Sequence, residues 1–309
     1  MEKNKPAAGH QHATGHIIQS LLVNLLIVAC KGVAAYMTKS GAMLAETIHS
    51  IADCSNQALL LMGVKQAQRA PDTQHPLGYG RAVYFWSFMV AMLLFSIGGM
   101  FSIYEGIHKI EHPEPVSHVM WGVGVLVFSI LLEGYATWSN IKEMNKRRGN
   151  TGFFRFLRET KDSDLVVIFG ENSAAVLGLF FALAALLTAY YTGDGHWDGV
   201  GSFAIGVVLI AVAVFLAVEV KSLLIGESAD PIIATTAARI AFDHPHIEHM
   251  MQCITVQQGP GEVLVCIKIQ CSPHLTAPEV SGMINNFEDQ LRAECPEVKW
   301  LFVEPDLMK

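Results

Sequence analysis

The sequence predicts an α-helical membrane protein with six transmembrane helices and a small cytosolic α+β domain in the order αββαβ. Three observations lead there. Of the 309 residues, 51% are hydrophobic and only 16% charged, against about 25% charged in soluble chains. The charge deficit falls on residues 16–225, whereas 226–309 have an ordinary soluble composition. The apolar residues also come in runs near the roughly 20 that a helix needs to cross a hydrocarbon core about 30 Å thick. A net charge of −7 excludes the basic stripe of a nucleic-acid binder.

Residues 1–15 are polar and lack the Arg-rich pattern of a transit peptide or the apolar core of a secretory signal. They are expected to form a disordered tail, where His10, His12 and the adjoining His16 gather metal loosely if at all. The transmembrane domain, 16–225, divides into apolar runs at 16–37, 41–66, 82–107, 116–140, 165–191 and 199–224. The breaks carry turn chemistry: TKSGA, APDTQHPLGYG, EHPEP and GDGHWDG. Lys65, Arg69 and Arg81 follow the second run, and Lys142, Lys146, Arg147, Arg148, Arg155, Arg158 and Lys161 follow the fourth, whereas the opposite side has Lys39 and Lys109. Positive residues stay inside, so both termini are expected in the cytosol, at a bacterial cytoplasmic (inner) membrane.

In 226–309, TTAARIAFDHP reads as a helix, HMMQCITVQQ as a strand, VLVCIKIQC as a second strand, TAPEVSGMINNFEDQLRAEC as a helix and KWLFVEP as a last strand. A unit of about 80 residues is small for independent stability, which points to a homodimer. The six cysteines form no CxxC motif and read as unpaired small hydrophobes in a reducing compartment.

Ionisable groups inside a span are costly and mark function. The second run contains Glu46, His49 and Asp53. His49 and Asp53 are four apart and share a helical face, offering one nitrogen and one oxygen to zinc or a similar divalent ion. The competing reading is a polar pair that ties helices together. A zinc site needs three or four ligands. The fifth run offers Glu171 and Asn172, with Asp164 two turns earlier and the small residues Ser173, Ala174, Ala175 and Gly178 for close helix approach. Elsewhere, Lys31 is expected to snorkel or pair with a carboxylate, Glu105 to lie near the far end of the third span, Glu133 to line a cavity, and Asp198 to cap the sixth span.

The segments AETIHSIADCSNQ, HPLGYGR, ENSAAVLGL and VKSLLIGESADP resemble the cation diffusion facilitator family, in the branch related to mammalian zinc transporter nine. The resemblance implies dimers of six-helix protomers, each holding a metal between helices two and five and exporting it against protons. The family's helix-two ligands fall on His49 and Asp53, and its helix-five pair on Val167 and Glu171. Val167 cannot ligate, so the resemblance implies that Asn172, Asp164 or a water completes the shell. Glu46 is a further candidate. The loop site of some relatives is represented by Asp72 and His75, with Tyr79 at the second His position. The tail positions that bind zinc in well-known members fall on Met251, Lys268 and Phe302 or Val303, which are not ligands. His244, His246 and His249 resemble a metal cluster in composition but read as a loop.

The implied function is efflux of zinc, or of Co, Fe, Mn or Ni, by proton antiport. The expected partners are the lipid bilayer, the metal, protons and a second copy, with no cofactor and no nucleic acid. The alternatives are an intramembrane metalloenzyme, against which stands the absence of HExxH, or a non-transporting metal-sensing scaffold.

Overall fold

The computed structural model describes residues 9–149, 151–160 and 163–306. Helices α1 (Gly9–Thr38) and α2 (Gly41–Ala67) lead into α3 (Ala82–Leu93), a π-helical segment (Leu94–Met100) and α4 (Phe101–Glu111), which together form one long rod. Helices α5 (Val119–Arg147), α6 (Phe153–Glu159), α7 (Ser163–Thr192) and α8 (His196–Ile225) follow, then α9 (Pro231–Asp243), β1 (Ile247–Gly259), β2 (Glu262–Cys271), α10 (Ala277–Glu294) and β3 (Val298–Asp306).

Among the described residues, four helical stretches are long and apolar enough to cross a membrane: 82–111, 119–147, 165–192 and 196–225. They match the expected third to sixth spans. The described apolar part of α1 is shorter, Asn24–Thr38. Helix α2 carries Glu46, His49 and Asp53 in its middle, so composition alone does not mark it as a span. Helix α1 starts at Gly9, inside the segment expected to be a tail, and no proline removes a backbone donor between Gly9 and Thr38. Residues 1–8 lie outside the described residues. The short helix α6 occupies a basic stretch read as loop.

Helices α4 and α8 touch backbone to backbone, because a Cβ on Gly106 would lie 2.5 Å from the Phe203 nitrogen. Ser202 Oγ adds a hydrogen bond to the Ser102 carbonyl at 3.0 Å. Such small-residue seams let helices associate where lipid removes the hydrophobic drive.

Asp198 does not cap its own helix alone. From the first turn of α8, 1% exposed, it accepts hydrogen bonds from Ser40 Oγ (2.5 Å), the Gly41 nitrogen (2.6 Å) and the Ala42 nitrogen (3.3 Å). The orphan donors at the start of α2 are thus satisfied by a carboxylate from another helix. A residue distant in sequence therefore fixes where α2 begins.

The chain divides into two compact units, one of Met1–Leu61, Ser87–Leu157 and Asp164–Val218, the other of Met62–Trp86, Arg158–Ser163 and Glu219–Lys309. The second contains the expected αββαβ order. Its sheet runs β1-β2-β3, antiparallel then parallel, with α10 as the crossover. Alternation along β2 buries Val263, Val265, Ile267 and Ile269 against Met283, Phe287 and Leu291 of α10. Asp230 caps α9, with Pro231 behind it, and α10 opens on a Thr276–Glu279 capping box.

The opposite sheet face is open, and the register aligns Ile254, Cys266 and Phe302 across it. The α2–α3 loop packs against the β1–β2 hairpin, for a Cβ on Gly80 would lie 2.6 Å from both the Gln258 carbonyl and the Glu262 carboxylate. All six cysteines are unpaired, as the sequence implied.

Candidate metal centre

From the start that Asp198 sets, α2 carries Glu46, His49, Asp53 and Asn56 along one side, three to four residues apart. His49 is 0% exposed, and its Nε2 lies 3.6 Å from Asp53 Oδ2. Neither ring nitrogen finds a hydrogen-bond partner among the described residues, nor does Asp53 Oδ1. A buried polar atom left unsatisfied costs about 1–3 kcal/mol, and three such atoms lie together here.

Helix α7 brings Glu171 to the same interface. Its Oε1 accepts a hydrogen bond from Asn56 Nδ2 at 2.7 Å, and its carboxylate lies within electrostatic reach of Asp53. Asn56 is fully buried, and its own Oδ1 is unpartnered among the described residues. The sequence reading missed Asn56. Its signal was present, as an amide seven residues after His49 on the same helical stripe. Small residues on α7 make the approach possible, with Ala174 and Ala175 buried and Gly178 facing Glu46.

Among the described residues, no three His, Cys, Asp or Glu side chains converge closely enough to hold a metal ion. His49 and Asp53 are adjacent, and Glu171 is held by an amide. Val167 is fully buried and apolar. Asn172 is partly buried, and its carbonyl accepts from Thr137 Oγ1 at 3.4 Å. The side chain of Asp164 lies outside the described residues.

Glu46 is engaged elsewhere. Lys31 Nζ, on a side chain that is 0% exposed, lies 3.3 Å from Glu46 Oε2, 2.8 Å from Ser50 Oγ and 3.6 Å from Glu133 Oε1. The expected pairing of Lys31 with a carboxylate is therefore present twice, spanning α1, α2 and α5.

In the α2–α3 loop, Asp72 accepts from the Gln74 and His75 nitrogens (2.9 and 2.7 Å) and from the Tyr79 hydroxyl (2.7 Å). These donors, the Tyr79 hydroxyl foremost, hold its carboxyl at about 2. His75 Nδ1 lies 3.5 Å from Asp72, and its ring sits 4.2 Å from that of Tyr79. The geometry is a closed turn, with the tyrosine filling one side of the carboxylate. His244 Nδ1 accepts the His246 backbone N–H at 3.3 Å, a local turn. Lys268 forms ion pairs with Glu304 (3.3 Å) and Asp306 (3.0 Å).

The family model for the cation efflux transmembrane domain matches residues 17–225, from α1 to the end of α8. The chain belongs to the cation efflux family. It is 34% identical over 217 residues to the mitochondrial proton-coupled zinc antiporter SLC30A9 of Xenopus laevis, covering 70% of this chain and 39% of the relative. It is 28% identical over 285 residues to the Homo sapiens protein of that name, covering 92% and 50%. It is 29% identical over 253 residues to metal tolerance protein C4 of Arabidopsis thaliana, covering 81% and 55%. The chain thus spans about half the length of these relatives or less.

Proposed function

We propose that this cation efflux protein exports a divalent metal ion, zinc before Co, Fe, Mn or Ni, in exchange for protons. The observation that carries the reading is the fully buried His49 paired with Asp53, whose side chain is 20% exposed, with unpartnered donor atoms among the described residues, facing Glu171 across the α2–α7 interface. His49 binds metal only when neutral and the carboxylates only when ionised, so metal and protons compete for the same atoms. An emptied site with two ionised carboxylates is expensive to reorient inside a membrane, and protons lower that cost.

In this mechanism His49 and Asp53 take the ion first. Glu171 exchanges its Asn56 hydrogen bond for a metal bond, and Asn172, Asp164 or a water fills the remaining position. Closing this gap converts a half-made site into a loaded one, which is the differential interaction an alternating-access transporter requires. Helices α1 and α2 complete six spans, both termini face the cytosol, and the site opens alternately to either side of a bacterial cytoplasmic membrane. Two copies associate through the open sheet face of the tail.

Zinc flux into proteoliposomes with an internal pH dye tests the reading. Wild-type protein should move zinc when a proton gradient is imposed, with proton counterflow, and His49→Ala should abolish flux while still reaching the membrane. Zinc flux indifferent to the gradient and without counterflow makes the protein a uniporter. Absence of flux leaves a metal-sensing scaffold.

A further inference from the structure

Lys31 is surrounded in a way that matches a bound cation more than an ordinary ion pair. Its ammonium is completely buried and has three oxygen neighbours, Ser50 Oγ at 2.8 Å, Glu46 Oε2 at 3.3 Å and Glu133 Oε1 at 3.6 Å. Three N–H donors meet three oxygens supplied by two other helices. The other carboxylate oxygen of Glu46, Oε1, is buried without a hydrogen-bond partner among the described residues and points at Gly178, where no side chain intrudes. Glu133 is 19% exposed. The cage lies next to the candidate metal centre in sequence, Glu46 and Ser50 being three residues before and one after His49.

Two carboxylates and a hydroxyl in hydrocarbon are what a hard divalent ion seeks. Left uncompensated, such carboxylates are among the costliest groups a membrane protein can carry. We propose that Lys31 is a tethered counter-cation. Its ammonium permanently occupies an oxygen-lined cation position formed by Glu46, Ser50 and Glu133 and so closes that position to the transported ion, limiting each chain to the ions held elsewhere. Because the ammonium cannot leave, it permanently offsets one of the cage's two carboxylate charges. This rests on the reading of the chain as a divalent-cation transporter, but not on which residues form its transport site.

The test counts zinc per chain by elemental analysis of purified full-length protein at about pH 8, under saturating free zinc. Lys31→Met should bind one more zinc ion than wild type, and Lys31→Met/Glu46→Gln should return the count to the wild-type value. In a His49→Ala background the same gain should persist. A wild-type count that does not fall in that background would count against His49 as a ligand and leave the cage proposal intact. An unchanged count in folded Lys31→Met, or a gain that survives Glu46→Gln, overturns the proposal. Should Lys31→Met fail to fold, the charge-balanced double variant is expected to recover expression. If it fails equally, Lys31 is a packing element and the proposal falls.

Discussion

Asn56 holds the carboxylate of Glu171 by a single hydrogen bond of 2.7 Å. Bonds to a charged acceptor contribute about 1.5–3 kcal/mol, and under the proposed mechanism this one competes with metal. Asn56→Ala should therefore tighten zinc binding by roughly tenfold, read by competition with a chelating dye, and slow release; weaker binding would make the amide a ligand instead. At Asp72 the consequence concerns pH. Its folded value, about 2, lies below the ordinary aspartate value. The turn is therefore fully stabilised above about pH 3.9 and loses that contribution only as the pH falls through about 2. Following the carboxyl resonance by NMR should place its midpoint near the lower value, and a midpoint near 4 would mean the turn is open in solution. His49, Asp53 and Glu171 were legible because charges in a span stand out against an apolar background. The bond from Asn56 was not, because its acceptor lies 115 residues away.

Elements show the same division. Four spans could be read from hydropathy, and the αββαβ order from the change of period between strands and helices. The capping of α2 by Asp198 left no local trace, since its partner Ser40 is 158 residues away, and the sequence assigned the carboxylate to its own helix. The seating of the HPLGYGR loop was equally hidden. There Gly80 permits an approach that a methyl group would block, with two oxygens 2.6 Å from its would-be Cβ. Gly80→Ala should cost about 1–3 kcal/mol and lower the melting temperature of the purified protein. Gly124→Ala, with open space around it, should not. Equal melting of the two would show that the loop yields freely.

At the scale of the whole molecule, the open sheet face is the surface on which the proposed dimer rests. Ile254 and Phe302 are exposed on either side of Cys266, and Met251 is exposed nearby. No three potential ligands meet there among the described residues. Apolar area without metal donors predicts a dimer indifferent to chelation. The full chain in detergent should keep a dimeric mass in excess chelator, measured by light scattering, and Phe302→Lys should reduce it to a monomer. Dissociation by chelator alone would reveal a bridging metal.

The carboxylate of Asp198 also works as a pin. Helix α2 has 27 residues, so at 1.5 Å per residue it is a rod of about 40 Å, fastened at one end. His49 sits eight residues from the fastening, about 12 Å along the rod. A swing of about 10° about that point carries His49 by about 2 Å but the Ala67 end by about 7 Å, on the same rise per residue. The smaller displacement equals the length of a zinc–nitrogen bond, about 2 Å. Under the proposed mechanism, a fulcrum placed there would gear a wide sweep at one end of α2 down to the fine movement that separates a made coordination bond from a broken one.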